Sequence, residues 1–122
     1  MNLAAILACI LQIEQGPTKG YYTAWNLTEE SVKDVNRYQR KHNLPEFTKA
    51  DLANPEKGIQ AAYRKAKLNE AELTKKLGHP PTVQEIGAAW RHGVTGMDDP
   101  RKREEAREYG QRLVNLVEAK ER

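Results

Sequence analysis

The first apolar positions of the chain, Leu3, Ile6, Leu7, Ile10, Leu11 and Ile13, fall mostly three and four residues apart. That spacing predicts an amphipathic helix over 3–15 with a wide buried face. Asn2 can cap it, and Gly16-Pro17 ends it. The helix thus closes on a carboxylate, Glu14, just before a loop that carries Gly20, Tyr21, Tyr22, Trp25 and Asn26. Thr28 caps a second helix, but Ser31 stands where a capping box needs an acid or amide. Val32, Val35, Asn36 and Gln39 mark its inner face, and the pattern fades near Asn43 and Pro45. The stretch PEFTKADLANP reads as a connection with at most one helical turn. Pro55, a first-position proline, opens a third helix to about Leu77. Its expected inward residues are Ile59, Ala62, Tyr63, Ala66, Leu73 and Leu77, with a kink or break suggested at Asn69. After a turn over 78–81, Thr82 and Glu85 form a capping box for a fourth helix through about His92. GVTGMDDP is a Gly-rich break, and Asp99-Pro100 begins a charged last helix with Tyr109, Leu113, Leu116 and Val117 on one side. No alternating run reads as a strand. The pattern predicts an all-α fold in one domain over 1–122, with a core over about 3–96 and a terminal helix over about 99–121.

Composition narrows the partners more than the fold. At 122 residues the chain can bury a core without staples, and 39% apolar with 30% charged residues indicates a soluble protein. The net charge of +3 is spread among interleaved acids and bases, which favours an anionic partner, nucleic acid or cell-wall polymer, without choosing between them. Cys9 is the only cysteine, which excludes an intramolecular disulfide and a cysteine metal site. Its neighbours Ala8, Ile10 and Leu11 point to a small buried thiol. The first apolar run has no Lys or Arg before it and no small-residue cleavage site before Glu14, and it is too short to span a bilayer. The expectation is a buried helix, no integral membrane segment, and a chain that is cytoplasmic when made.

Read residue by residue, nothing in the chain specifies a reaction. His42, His79 and His92 lie on different elements without metal-ligand spacing, so neither a metal nor another cofactor is expected. There is no phosphate-cradling Gly loop and no nucleophile motif. RKREEAREYGQR alternates in sign at helical spacing, as a solvated face does. ELTKKLGHPPTVQEIGAAW has the layout of a helix-turn-helix, and LGHPPTVQEI is similar to a stretch common in bacterial sigma factors. Its second helix, however, opens on Thr82, Val83, Gln84 and Glu85, a poor set for touching phosphates or bases. Nucleic acid is the disfavoured partner.

Four pieces taken together carry more. They are Glu14 at a helix end, WNLTEESVKDVNR, FTKADLANPEKGIQAAY and LGHPPTVQEIGAAWRHG. In this order and spacing the chain resembles the lysozyme-like domain of the soluble lytic transglycosylase and goose-type lysozyme superfamily, nearest to small phage or prophage types. The resemblance runs from about Leu3 to Gly96. It implies cleavage of the peptidoglycan glycan strand between N-acetylmuramic acid and N-acetylglucosamine, with no cofactor. The position of Glu14 matches the family's single general acid, whose apolar walls would keep a carboxyl protonated for donation. A hydrolase would commonly add a second carboxylate, for which Glu29, Glu30 and Asp34 are nearest in sequence, whereas a transglycosylase manages with one.

The chain departs from the family pattern at three places. Gln15 and Gly16 follow the Glu where relatives carry Ser and Gly; AWNL replaces a Gly-Leu-Met-Gln stretch, so Asn26 would have to supply the amide; and the aromatic-Asn-Gly wall reads Trp90, Arg91, His92, Gly93. The implied substrate contacts are Tyr21, Tyr22, Trp25, Asn26, Trp90 and Arg91. Against this stand the plainer readings: a helix-ending Glu usually meets solvent, and aromatics are usually core. The alternatives are a lysozyme-like module without catalysis that binds or builds, and a small helix-turn-helix DNA-binding protein. Phage or particle partners would explain how such a chain reaches the wall, by release or delivery.

Overall fold

A computed structural model describes residues 2–122. Six α-helices follow one another: α1 Leu3–Glu14, α2 Glu29–Lys41, α3 Lys49–Ala53, α4 Pro55–Leu77, α5 Val83–His92 and α6 Arg103–Lys120. A 3-10 turn over Thr95–Asp98 precedes α6. Among the described residues there is no strand, only an isolated antiparallel bridge between Tyr22 and Leu27. The fold is all-α, as the periodicity predicts. No helix among the described residues is long and apolar enough to cross a membrane.

The chain forms two compact units, and neither boundary falls near the 96–99 break: Leu11–Lys65 is one, and Ala66–Arg122 with the residues up to Ile10 is the other. α1 and α4 each contribute to both.

In the unit Leu11–Lys65, Trp25, Leu27, Val35, Leu52, Ala61 and Ala62 are buried. The Thr28 hydroxyl caps α2 by accepting from the Ser31 N–H at 3.0 Å, without a full box. Past α2 the chain is held by side chains on that helix's inner face. Asn36 accepts from the Phe47 N–H at 2.7 Å and donates to its carbonyl at 3.0 Å, and Gln39 donates to the Pro45 carbonyl at 2.9 Å. These amides replace the backbone partners that an irregular segment lacks. The expected single turn in this region is α3, closed by a capping box between Thr48 and Asp51 that the sequence reading did not pick out.

In the other unit the largest fully buried side chains include Leu7, Ile10, Leu73, Ile86 and Leu113. Each such burial contributes about 1.5–3 kcal/mol. α5 begins with the expected Thr82–Glu85 capping box. It crosses α6 at two glycines: a Cβ on Gly87 would lie 2.8 Å from the Gly110 Cα, and one on Gly110 would lie 2.2 Å from the Gln84 carbonyl oxygen. α6 starts at Arg103, a turn later than Asp99-Pro100 suggests, because the chain first turns back through hydrogen bonds from the Lys102 and Arg103 N–H groups to the Asp99 carbonyl.

Two expectations about α4 are corrected. The helix runs unbroken through Asn69, which is 2% exposed. Gly58, Ala62, Ala66, Asn69 and Leu73 follow one stripe at spacings of three and four, all buried, so the apparent break is only a polar residue standing on the apolar stripe. Ile59 and Tyr63 sit one position off that stripe and are 48% and 40% exposed. The first half of the buried face is built from the small residues Gly58, Ala62 and Ala66, with Ile59 and Tyr63 flanking it.

Candidate active site

α1 ends where Gly16-Pro17 stops it, and the next eleven residues fold back onto its last turn. The Gly16 N–H donates to the Ala24 carbonyl at 2.8 Å, the Tyr21 N–H to the Thr18 carbonyl at 2.9 Å, and Tyr22 and Leu27 exchange backbone hydrogen bonds at 2.8 and 2.7 Å. This small ring of backbone bonds returns Asn26 to the end of the helix that Glu14 closes. The Asn26 amide nitrogen donates to Glu14 Oε1 at 2.9 Å and lies 3.4 Å from the Glu14 carbonyl oxygen. Its oxygen accepts from the Thr18 N–H at 2.7 Å. Asn26 is thus fixed at both ends, and it fixes one carboxylate oxygen of Glu14. Both side chains are half-buried.

Space for this clasp comes from Gly16, where an added Cβ would stand 2.0 Å from Asn26 Oδ1. Gln15, Thr23 and Asn26 take left-handed backbone angles, with φ of 46°, 62° and 55°. For a β-branched residue such as Thr23 that conformation is uncommon, and such residues typically cost about 1–3 kcal/mol. Here the Thr23 hydroxyl accepts from the Trp25 N–H at 3.2 Å, and its side chain packs against Gly58. The strain is concentrated in the loop that carries Asn26.

Beside the loop lies a hollow of about 300 Å³, walled by Leu11, Pro17, Ala24, Trp25, Leu52 and Pro55 among others. Leu11 stands one turn before Glu14. α3 supplies Leu52 and Ala53 to this wall, and its capping box holds it in place. The Thr48 backbone N–H donates to the Asp51 carboxylate at 2.9 Å. That bond first, and the Thr48 hydroxyl second, hold the Asp51 carboxyl below its ordinary value of 3.8.

Comparisons with protein-family models, with curated proteins and with solved structures found no match to this chain. The site is therefore read from its own geometry.

Of the residues singled out in the sequence, Glu14, Tyr21, Tyr22, Trp25 and Asn26 belong to one unit, and Trp90 and Arg91 to the other. Tyr21 is 44% exposed and Tyr22 half-buried, so both offer ring surface. Trp25 is 7% exposed, which makes it a wall of the hollow and leaves little of its face for open stacking. Trp90 is half-buried on α5. Arg91 does not present a free cation: its guanidinium is 2.5 Å from Glu105 Oε1 on α6, and His92 Nε2 is 3.4 Å from the other oxygen of the same carboxylate. Among the acids after the loop, Glu30 lies 3.9 Å from Lys33, and Asp34 is paired with Arg37 at 3.2 Å and Lys65 at 3.4 Å. The opening residues of α5 are likewise committed, Glu85 to its capping box and Gln84 against Gly110.

Sequence reasoning passed over Gly16 as a working residue, and also Thr18, Thr23 and the Thr48–Asp51 cap. The last had a readable signal, a Thr followed three residues later by an acid. Thr18 acts through its N–H and Gly16 through its missing side chain, and neither property has a pattern in a single sequence.

Proposed function

We propose that this protein cleaves the glycan strand of peptidoglycan, with Glu14 as its acid and base and Asn26 as the residue that positions it. The observation that carries this reading is the 2.9 Å hydrogen bond from the Asn26 amide to Glu14 Oε1. The resemblance implies a cleft-shaping glutamine at this point of the chain, and Asn26 is the amide that would take its role. The left-handed backbone at Gln15, Thr23 and Asn26, in the loop that closes on this carboxylate, supports the reading.

In this reading protonated Glu14 donates to the glycosidic oxygen as the bond from the muramic acid C1 to that oxygen breaks. The carboxylate then takes the proton from the muramic acid 6-hydroxyl as O6 bonds to C1, which closes a 1,6-anhydro ring and returns Glu14 to its starting form. This one-carboxylate route needs no second acid facing the sugar, and it accords with the pairing of Asp34 to Arg37 and Lys65. The hollow beside the loop, with Tyr21 and Tyr22 near it in the chain, is the surface offered to the sugar rings. The engaged start of α5 gives no support to reading DNA with that helix.

The test is release of dye from labelled cell-wall sacculi by the purified protein and by Glu14→Gln. General acid-base groups contribute about 10²–10⁴-fold, so the variant should lose at least two orders of magnitude while its circular dichroism is unchanged. Equal release by the two proteins removes Glu14 from the chemistry. Retention on sacculi without release would instead identify a module that binds and does not cut.

A further inference from the structure

The unit that contains α5 and α6 has a concavity of its own, about 250 Å³, that the proposed activity does not use. Its apolar lining is Ala88 on α5, Ala106 on α6 and Met97 from the 3-10 turn; the two alanines are buried. Arg103 and Arg107 complete the lining, four residues apart and therefore on the same side of α6. Three nearby cations are paired, Arg91 with Glu105, Lys76 with Asp98 and Arg101 with Asp99, and Lys102 and Arg112, which have no ion pair among the described residues, do not line the pocket. Neither Arg103 nor Arg107 has an ion-pair partner among the described residues. The acid that lines the pocket, Glu85, already accepts from the Thr82 N–H at 2.8 Å and the Thr82 hydroxyl at 3.1 Å.

Two planar, permanently charged forks beside an apolar surface make a specific chemical demand. Guanidinium groups match the paired oxygens of a carboxylate or phosphate, and the apolar lining gains only if the ligand brings an apolar body. The volume lies just below the usual range of small-molecule sites, about 300–1,000 Å³, which limits that body to roughly one ring. We infer that this pocket binds a small amphiphilic oxyanion, its carboxylate or phosphate held by Arg103 and Arg107 and its apolar part against Met97, Ala88 and Ala106. The charge alternation along α6 reads in sequence as a solvated face; the fold gathers two of its arginines around one hollow.

Met97 provides a direct reporter, because the chain has only two methionines. In protein labelled with ¹³C on the methionine methyl groups, Met97→Leu assigns the signal. Phenyl phosphate, benzoate, inorganic phosphate and benzyl alcohol are then titrated separately. The inference expects phenyl phosphate or benzoate to move the Met97 signal saturably with a Kd below about 1 mM. Inorganic phosphate and benzyl alcohol should each bind at least about tenfold more weakly, and Arg103→Gln with Arg107→Gln should weaken the aromatic anion by at least about tenfold. Which anion binds better distinguishes a phosphate ester from a carboxylate as the natural headgroup. Both arginines are exposed, so the double variant should keep its fold, checked by its backbone amide spectrum. No saturable shift by either aromatic anion up to about 10 mM, far weaker than a specific site would bind, overturns the inference. An unchanged affinity in the folded double variant, or inorganic phosphate binding as well as phenyl phosphate, overturns it too.

Discussion

Glu14 and Asn26 are twelve residues apart in sequence and joined by one hydrogen bond, and the whole loop between them is arranged around that bond. Gly16 is the residue on which the arrangement turns. A methyl group there would stand 2.0 Å from Asn26 Oδ1, so Gly16→Ala must push the amide away from the carboxylate. Overpacking of this kind costs about 1–3 kcal/mol, visible as a lower urea midpoint. Asn26→Ala leaves the space but removes the amide from both Glu14 and the Thr18 N–H, at a left-handed position. Misplacing a catalytic group by about 1 Å can cost about 10²-fold, so this variant, with its fold checked by circular dichroism, should lose sacculus-degrading activity on that scale. Full activity in Asn26→Ala would deny it the positioning role. At this scale the sequence showed the two ends of the bond and not its supports. A carboxylate closing an apolar helix and an amide after an aromatic are visible as residue types. The Thr18 N–H and the empty side of Gly16 are backbone properties that appear only once the loop is closed.

Among the α-helices, α3 is the shortest, five residues closed by a capping box. Asp51 is held below its ordinary carboxyl value by the Thr48 N–H, so the charged form belongs to the folded state. The sign follows from linkage: a depressed carboxyl stabilises above its unfolded value of 3.8, and that contribution is lost as the pH falls through the lower folded value. The thermal midpoint of Asp51→Asn should therefore lie below wild type at neutral pH, and the difference should shrink below pH 3.8. A difference that persists unchanged in strong acid would show that the cap's charge is not what α3 uses. The α5–α6 crossing is the other exposed dependency. Gly110→Ala places a methyl against the backbone carbonyl of Gln84, which cannot swing aside as a side chain would. A loss of about 1–3 kcal/mol in denaturant unfolding is expected, and an unchanged midpoint would contradict the close crossing. Helix existence was legible throughout, because caps, prolines and three-and-four spacing are local. The inward face of α4 was legible in part: Ala62, Ala66 and Leu73 are buried as their spacing predicts, whereas the large Ile59 and Tyr63 lie one position off that stripe and are exposed.

For the molecule as a whole, the all-α class follows from the sequence, but its division into two units does not. Helices α1 and α4 read as single elements, and a chain gives no sign of where a continuous helix passes from one packed group to the next. The same limit applies to function. Glu14 and the aromatic loop lie in one unit and Trp90 and Arg91 in the other, so the resemblance that links them is a statement about order along the chain. Arg91 shows the difference, since its guanidinium is taken up by Glu105 within its own unit. The central claim is that one carboxylate, steadied by one amide, breaks a glycosidic bond and closes a sugar ring. Mass analysis of the soluble fragments from purified sacculi tests it most directly. The account predicts muramic acid ends 18 Da lighter than the reducing sugar, the mass of one water in the anhydro ring, about 10²–10⁴-fold less abundant with Glu14→Gln. Fragments with reducing ends only, or anhydro ends formed equally by the variant, would contradict it.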